Sequence, residues 1–279
     1  MSQKPIYILA KDYLVSGEEF QLQYDSEFEL LITNPCPAEE DLGKYYESEN
    51  YISHTDEKKG VVSFLYQTVK NYSLKKKVNL IKKLHNGSGK LLDIGAGTGD
   101  FLVTAKNKAW DIAGVEINPN ARRLAKKKSI SLESTVTNFK GEKFDVITMW
   151  HVLEHISNYK EVLETCHSLL NEKGVLVIAV PNYKSYDAQY YKNYWAAYDV
   201  PRHLWHFSRK SLPKILKNTF QLISIKPMVF DSFYVSLLSE KYKTGKKFSL
   251  RAFWVGLQSN RKARKTKEYS SLIYCFRKS

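Results

Sequence analysis

Lys90-Leu91-Leu92-Asp93-Ile94-Gly95-Ala96-Gly97-Thr98-Gly99-Asp100-Phe101 is the stretch that decides the fold. Residues 90–94 form an apolar run bounded by a glycine cluster, which is typical of a central parallel strand. The glycines at alternate positions 95, 97 and 99 lack the Cβ atoms that would keep a ligand off the backbone, and they allow positive φ. The stretch therefore predicts a strand, a ligand-binding turn and a helix that begins near Asp100.

The spacing of the glycines and the nearby acids indicate the kind of ligand. The dinucleotide fingerprint G-x-G-x-x-G would need glycine at position 100, where this chain has Asp100, so NAD is disfavoured. A second strand, at residues 111–117, carries Glu116, whose carboxylate can accept hydrogen bonds from both hydroxyls of a ribose. Asp93 adds negative charge near the turn, which suits an ammonium or sulfonium ligand better than a phosphate.

Strands and helices alternate along the rest of the chain. After the strands at 90–94 and 111–117, further strands are predicted at 131–136, 144–149, 174–181, 222–231 and 271–276, with helices at 118–128 and 159–170. This order predicts an α/β fold with a Rossmann-like, doubly wound sheet of seven strands and a ligand at its carboxyl edge.

Three motifs in this order resemble those of class I S-adenosylmethionine (SAM)-dependent methyltransferases. They are the glycine turn at 91–100, Gly-Val-Glu-Ile-Asn at 114–118, and residues 144–147 leading into Trp-His-Val-Leu-Glu-His-Ile at 150–156. The last motif resembles the branch that includes ubiquinone-biosynthesis O-methyltransferases and uncharacterised bacterial relatives. The resemblance extends over residues 60–230 and implies SAM as the cofactor.

The resemblance also implies where the cofactor binds. Asn138 follows the third predicted strand, where related enzymes place a side chain on the adenine amino group. The expected cofactor-binding residues are Asp93, Gly95, Ala96, Gly97, Gly99, Asp100, Phe101, Glu116, Ile117, Asn138, Phe139 and Trp150.

Three polar side chains follow the fourth predicted strand. His151, Glu154 and His155 are spaced i, i+3, i+4, so in a helix they would share one face. Such a group can hold a metal, supply an acid or base, or only stabilise the helix, and some relatives use a similar Glu-x-x-Glu-His cluster for a metal. Because the sequence offers no second acid here, we predict no resident metal and expect His151 to be a general base.

Residues 182–207 are unusually long and aromatic for a connection in this fold, which predicts a lid insertion over the substrate. Within this segment Tyr198, Arg202 and His203 are further candidates for contact with the substrate. His203 has an equally weighted alternative, the hydrogen bonding of backbone groups in the turn at 201–204.

The N-terminal part predicts a separate small unit. Residues 1–58 are assigned to a β-meander, with strands at 11–15, 20–24 and 28–33, and to a helical cap at 39–51. In relatives this region often holds a zinc ribbon, but the paired cysteines are missing around Cys36, so the resemblance is to a degenerate form. Residues 59–279 are assigned to the methyltransferase domain, with the lid insertion at 182–207 and a basic helical insertion at 232–268.

The composition of the chain indicates which kinds of partner it can have. The formal charge is +14, from 43 lysines and arginines against 29 acidic residues, but most basic clusters lie on predicted amphipathic helices, where lysine forms the solvated face. Three unpaired cysteines and no long apolar segment predict a cytoplasmic protein without membrane contact. We expect O-methylation of a small hydroxylated or anionic metabolite. RNA methylation and a non-catalytic SAM-binding role are the alternatives.

Overall fold

Ten strands and eight α-helices are present within residues 4–38, 41, 43–46, 61–246 and 248–279, which are the residues that the computed structural model describes. The strands are β1 (Ile6–Lys11), β2 (Glu19–Asp25), β3 (Leu30–Asn34), β4 (Lys90–Ile94), β5 (Asp111–Val115), β6 (Phe144–Trp150), β7 (Leu170–Pro181), β8 (Trp205–His206), β9 (Phe220–Pro227) and β10 (Ser271–Lys278). The helices are α1 (Val61–His85), α2 (Asp100–Lys106), α3 (Pro119–Lys126), α4 (Tyr159–Leu169), α5 (Tyr186–Tyr191), α6 (Ser211–Leu216), α7 (Asp231–Thr244) and α8 (Leu250–Thr266).

The larger sheet has six strands in the order β5-β4-β6-β7-β10-β9. The first four are parallel, and β10 is antiparallel to both of its neighbours. Alternate residues of β7 face opposite sides, so Leu176 packs in the core that contains α4, whereas Val177 packs in the core that contains α1 and α2. Because both faces of the sheet are covered, its central strands have continuous apolar sequences. The predicted Rossmann-like architecture is confirmed.

The third predicted strand, at residues 131–136, does not form, so the larger sheet has six strands rather than the predicted seven. The structure has only a single bridge there, between Val115 and Glu133, and a 3-10 helix begins at Val136. Ser131, Glu133 and Ser134 are exposed, so the segment has little apolar surface to hold it against the sheet edge.

The smaller sheet has the order β1-β2-β3-β8. Two strands of the predicted meander are found close to their expected positions, but the first lies at residues 6–11 rather than 11–15. The Asp12 carboxylate accepts hydrogen bonds from the N–H groups of Leu14 and Ser16, which fixes a turn directly after β1. The fourth strand, β8, comes from the aromatic segment at 182–207.

That aromatic segment forms core rather than a lid, which corrects the prediction. Trp195 is buried, and its Nε1 donates to Asp187 Oδ2 at 2.8 Å. One cluster contains rings from this segment, the smaller sheet and residues of α7 and α8: Tyr183, Tyr191, Trp195, Tyr198, Phe20, Leu22, Val235 and Val255. The rings therefore attach the smaller sheet to the rest of the protein.

The remaining predicted elements are partly recovered. The helix predicted at 39–51 lies mostly outside the described residues, and its described part includes a 3-10 helix at Gly43–Tyr46. The strand predicted at 222–231 ends at Pro227, and the basic insertion consists of α7 and α8. Cys36 is exposed, whereas Cys166 and Cys275 are buried in the cores of the larger sheet. In the described part of the chain, no helix is long and apolar enough to cross a lipid bilayer.

Candidate active site

The glycine turn between β4 and α2 has the predicted backbone. Gly95, Gly97 and Gly99 have φ of 73°, 54° and 78°. Residues that carry a Cβ adopt such positive values only with backbone strain. A Cβ on Gly95 would lie 2.3 Å from Val152 Cγ2, whereas a Cβ on Gly97 would meet nothing within 4 Å. The turn is therefore closely packed at its start and open at its centre, as a ligand cradle requires.

Glu116 lies directly beside this cradle, at the end of β5. One of its carboxylate oxygens accepts from the Gly97 N–H at 2.8 Å, and the other accepts from the Asn118 N–H at 2.8 Å. The next residue, Ile117, is 82% exposed and offers an apolar surface at the same edge. A carboxylate beside a flat apolar surface has the chemistry to bind a ribose and an adjoining base.

Asp93 is the buried acid of the site. Its Oδ1 accepts from the Thr148 hydroxyl at 2.6 Å. Burial raises the pKa of the Asp93 carboxyl to about 7, although this hydrogen bond and the charge of Lys77 oppose the rise. A cation that bound nearby would favour the carboxylate form.

Other residues expected to bind the cofactor have different partners. Asp100 forms ion pairs with Lys70 and Lys128 at 2.7 and 2.6 Å, and Phe101 is buried in the core, edge-on to Trp150. The Asn138 amide donates to Glu133 Oε2 at 2.6 Å. Ala96 is half-buried and its N–H donates to the Val115 carbonyl, while Phe139 is buried. Asp93, the three glycines, Glu116 and Ile117 lie at or just beyond the carboxyl ends of the paired strands β4 and β5, and Glu116 contacts Gly97 directly.

His151 lies just beyond β6, in the left-handed region with φ of 59°. Its Nδ1 lies 3.4 Å from Glu154 Oε1, and its Nε2 lies 3.2 Å from Asp231 Oδ2. Burial opposes protonation of the ring, but the two carboxylates outweigh it and raise the pKa of His151 to about 9. At neutral pH the ring is therefore an imidazolium.

Glu154 and His155 belong to a 3-10 helix, Leu153–His155, and His151 lies outside it, so the three residues do not share the face that a continuous helix would have given them. Glu154 is fully buried, and among the described residues no donor forms a hydrogen bond with its carboxylate oxygens. Burial alone would raise the pKa of Glu154, but the contact with His151 and the charges of His151 and His203 hold it below its usual value. The carboxylate is thus stabilised by surrounding rings rather than by directed hydrogen bonds.

His203 joins this group from the aromatic segment. Its Nδ1 lies 2.9 Å from the Ala197 carbonyl, and the corresponding atom of His155 lies 3.1 Å from the Arg202 carbonyl. The two rings meet edge to face with centroids 4.5 Å apart. Burial, and then the charge of His203, lower the pKa of His155 to about 4. His155 is therefore neutral. The His203 ring contacts the backbone carbonyl of Ala197 rather than groups of the turn at 201–204, and its contact with the substrate stays a prediction.

Within the part of the chain that the structure describes, Glu154, His155 and His203 form a group that could hold a metal ion. Their ligand atoms all lie within 4.8 Å of one another. Tetrahedral zinc, with bonds of about 2.1 Å, needs ligand atoms roughly 3.4 Å apart. The residue types fit, but the edge-to-face contact of the two rings would have to change before both could bind one ion.

Arg202 and Tyr198 are both buried against other parts of the protein, so neither side chain is exposed for the substrate contact that the sequence suggests. The Arg202 guanidinium is buried and donates to Asp12 Oδ1 at 2.8 Å, to Asp199 Oδ1 at 2.7 Å and to the Tyr45 carbonyl at 3.0 Å. Tyr198 is buried among aromatic rings. Arg202 therefore links the aromatic segment to the N-terminal region.

Two residues of the site were missed by the sequence analysis. Lys77 extends from α1 so that its Nζ lies 4.3 Å from the centroid of the Trp150 ring. Burial lowers the pKa of Lys77, although Asp231 and Asp93 attract its ammonium. Lys77 ends a run of three lysines of the kind that forms the solvated face of a helix, and Asp231 lies at the end of the strand predicted at 222–231, so neither residue has a signal in the sequence.

Comparison with known proteins shows the family to which the chain belongs. The model of a family described as "Methyltransferase domain" matches residues 66–223, more than half of the 279 residues. A ubiquinone biosynthesis O-methyltransferase of Actinobacillus pleuropneumoniae serotype 7 (strain AP76) is 23% identical over 184 residues, covering 60% of this chain and 79% of that protein. A demethylmenaquinone methyltransferase of Thermotoga maritima is 31% identical over 115 residues, covering 38% and 50%.

Solved structures agree on the fold. The magnesium protoporphyrin IX methyltransferase of Synechocystis PCC 6803, solved with bound SAH, superposes with a TM-score of 0.55 at 15% identity and covers 84% of this chain and 97% of its own. A SAM-dependent methyltransferase from Archaeoglobus fulgidus has a TM-score of 0.51 at 18% identity and covers 77% and 98%. Because the family model spans more than half of the chain, this protein belongs to the methyltransferase-domain family.

Proposed function

We propose that the protein is a SAM-dependent O-methyltransferase whose small acceptor presents an anionic oxygen, such as a carboxylate or an ionised phenol. The observation that carries the proposal is the position of the His151 imidazolium at the carboxyl edge of β6, beyond a glycine cradle that suits SAM. Its relatives include ubiquinone biosynthesis O-methyltransferases, which supports oxygen as the accepting atom.

The residues at the cradle fit the cofactor. SAM supplies an electrophilic methyl group on a sulfonium centre. Glu116 would accept hydrogen bonds from the ribose of SAM. The open space beside Gly97 would admit the cofactor close to the main chain of the turn, and Asp93 would face the positive charge of SAM. Ile117 would contact the base, with Asn138 beside it.

The acceptor side carries positive charge. The two carboxylates raise the pKa of His151 to about 9, so the ring is mostly protonated at neutral pH and is seldom available as a general base. An imidazolium instead suits an oxygen that is already anionic, because it can hold the oxygen by a charge-assisted hydrogen bond. Lys77 adds a second cation near the same Asp231 carboxylate. This replaces the role of general base expected for His151.

Labelled SAM tests the reaction directly. Protein incubated with methyl-labelled SAM and fractionated cell extract should transfer label to acidic small molecules and not to RNA. Mild alkali then separates the two acceptor types, because a methyl ester is hydrolysed and an aryl methyl ether is not. Label in the RNA fraction would support the nucleic-acid alternative, and absence of transfer despite SAM binding would support a non-catalytic role.

SAM affinity should rise with pH through about 7, because Asp93 is mostly protonated below its raised pKa and a cationic ligand favours its ionised form. Binding near pH 6.5 should therefore release protons. Calorimetry in two buffers of different ionisation enthalpy should give different apparent enthalpies for the natural protein. The difference should vanish in Asp93→Asn, and identical enthalpies for the natural protein would contradict the role of Asp93.

Replacing His151 with alanine should lower kcat by about 10²-fold or more, because the anionic oxygen loses its positioning cation, while SAM affinity stays nearly unchanged. The control is His167→Ala, since that ring packs against Phe220 outside the site. Dialysis against a chelator should leave natural activity intact. Loss of activity that zinc or manganese restores would instead identify Glu154, His155 and His203 as a metal centre.

A further inference from the structure

The outward face of α8 carries large apolar side chains. Leu250, Phe253, Trp254 and Leu257 are 76%, 41%, 51% and 57% exposed. Their spacing of i, i+3, i+4 and i+7 places them in one stripe along the helix. Phe248, just before the helix, is also exposed. We call these five residues the apolar stripe.

The inward face of the same helix is built from small residues. Ala252, Val255, Gly256, Ser259 and Ala263 are buried. A Cβ on Gly256 would lie 3.0 Å from Phe233 Cα, so α8 packs closely on α7 through its smallest position. The usual polarity of a surface helix is thus reversed, with small side chains inside and large apolar ones outside. The core does not need the large residues, so their exposure requires another explanation.

Basic residues surround the apolar stripe. Between residues 241 and 267 the sequence contains ten lysines and arginines and no aspartate or glutamate. Lys246, Arg251, Arg261 and Lys262 are exposed in this region. A helix with tryptophan, phenylalanine and leucine on one side, flanked by cations, has the composition of helices that lie in the interface of an anionic membrane.

We infer that α7 and α8 dock this protein peripherally on a phospholipid membrane that contains anionic lipids. The apolar stripe inserts at the level of the headgroups, and the surrounding lysines and arginines contact the phosphates. RNA would use the cations but would gain nothing from Leu250 and Leu257. A second copy of the chain would bring two strongly cationic faces together, which is unfavourable. This inference revises the expectation of no membrane contact.

The docking helices lead to the candidate active site. Asp231, whose carboxylate contacts His151, is the first residue of α7. Phe230 and Tyr234 on the same end are exposed, and Phe230 packs edge-on against Tyr72 of α1. Exposed aromatic side chains thus continue from the docking helices to the site. The docking holds whichever acceptor the protein methylates, since it depends only on α7 and α8.

Vesicle sedimentation of the 279-residue chain tests the inference. Binding to vesicles of phosphatidylcholine with one third phosphatidylglycerol should be strong at low salt, and binding to pure phosphatidylcholine should be weak. The double variant Trp254→Ser with Leu257→Ser should reduce binding at least tenfold, because it removes much of the inserted apolar area. The matched control is Leu9→Ser, which removes an equally exposed leucine from β1.

A second measurement needs no destabilising change. Phospholipid with brominated acyl chains should quench tryptophan emission of the natural protein, and much less so that of Trp254→Phe. Absence of binding to anionic vesicles, or binding and quenching that the variants leave unchanged, would overturn the inference. A natural protein that is dimeric by light scattering and becomes monomeric in the double variant would also overturn it, since a second copy would then cover the stripe.

Discussion

Replacing Glu116 with alanine should weaken SAM binding by at least 10²-fold. Each oxygen of this carboxylate now accepts a backbone N–H, from Gly97 and from Asn118. In the complex the same oxygens would accept from the ribose, and hydrogen bonds to a charged group contribute about 1.5–3 kcal/mol each. Two such bonds correspond to about two orders of magnitude or more in the dissociation constant. Calorimetry with SAM and with its demethylated product measures the loss.

Two variants separate the ribose contacts from general damage. Glu116→Gln keeps an acceptor and the shape of the side chain, so it should bind SAM with an affinity between those of the natural protein and the alanine variant. Glu142→Gln removes an acid that pairs with Lys90 and should bind SAM normally. Natural affinity in Glu116→Ala would contradict the assignment of the cofactor site.

Replacing Arg202 with methionine should destabilise the fold by about 3–5 kcal/mol, because it leaves the buried carboxylate of Asp12 and the partly buried one of Asp199 without their cation. Asp12 is fully buried, and its Oδ1 accepts from Arg202 Nη2 at 2.8 Å. Asp199 accepts from the same nitrogen at 2.7 Å. Chemical denaturation measures the change in the free energy of unfolding, and Arg123→Ala, on the exposed surface of α3, is the control.

A double-mutant cycle identifies the cause. Adding Asp12→Asn to the methionine variant should restore part of the lost stability, because the uncompensated charge is then removed. The same variants separate a structural role from the contact with substrate that the sequence suggested. A methionine variant of natural stability whose KM for the acceptor rises would show that Arg202 binds substrate after all.

Local patterns predicted the conformation of the glycine turn between β4 and α2 well, because its determinants are close together in sequence. The glycines at 95, 97 and 99 and the acid at 116 act through backbone conformation and strand order, which short stretches encode. The strand at 11–15 was misplaced because a single side chain, Asp12, turns the chain by accepting N–H groups. The strand predicted at 131–136 does not form, because an exposed edge segment with few apolar residues gains little from pairing with the sheet.

The acceptor side could not be predicted because its parts are distant in sequence. Asp231 reaches His151 from 80 residues away, and Arg202 reaches Asp12 across 190 residues. The sequence gives residue types in such cases but not their partners. The protonation of His151 and the burial of Arg202 both follow from those partners. Large aromatic residues at 182–207 were equally ambiguous, since rings that close a pocket and rings that fill a core have the same composition.

The pairing of β3 with β8 determines what would be lost if the N-terminal region were removed. Thr33 donates its hydroxyl to the His203 carbonyl at 2.6 Å, and its N–H donates to the Leu204 carbonyl at 3.0 Å. The β-hairpins at the start of the chain therefore act as a template for the loop that carries His203. A truncation at residue 60 would keep the glycine turn and every strand of the larger sheet, yet it would release that loop. Such a fragment should bind the methyl donor while having lost the geometry that handles the acceptor.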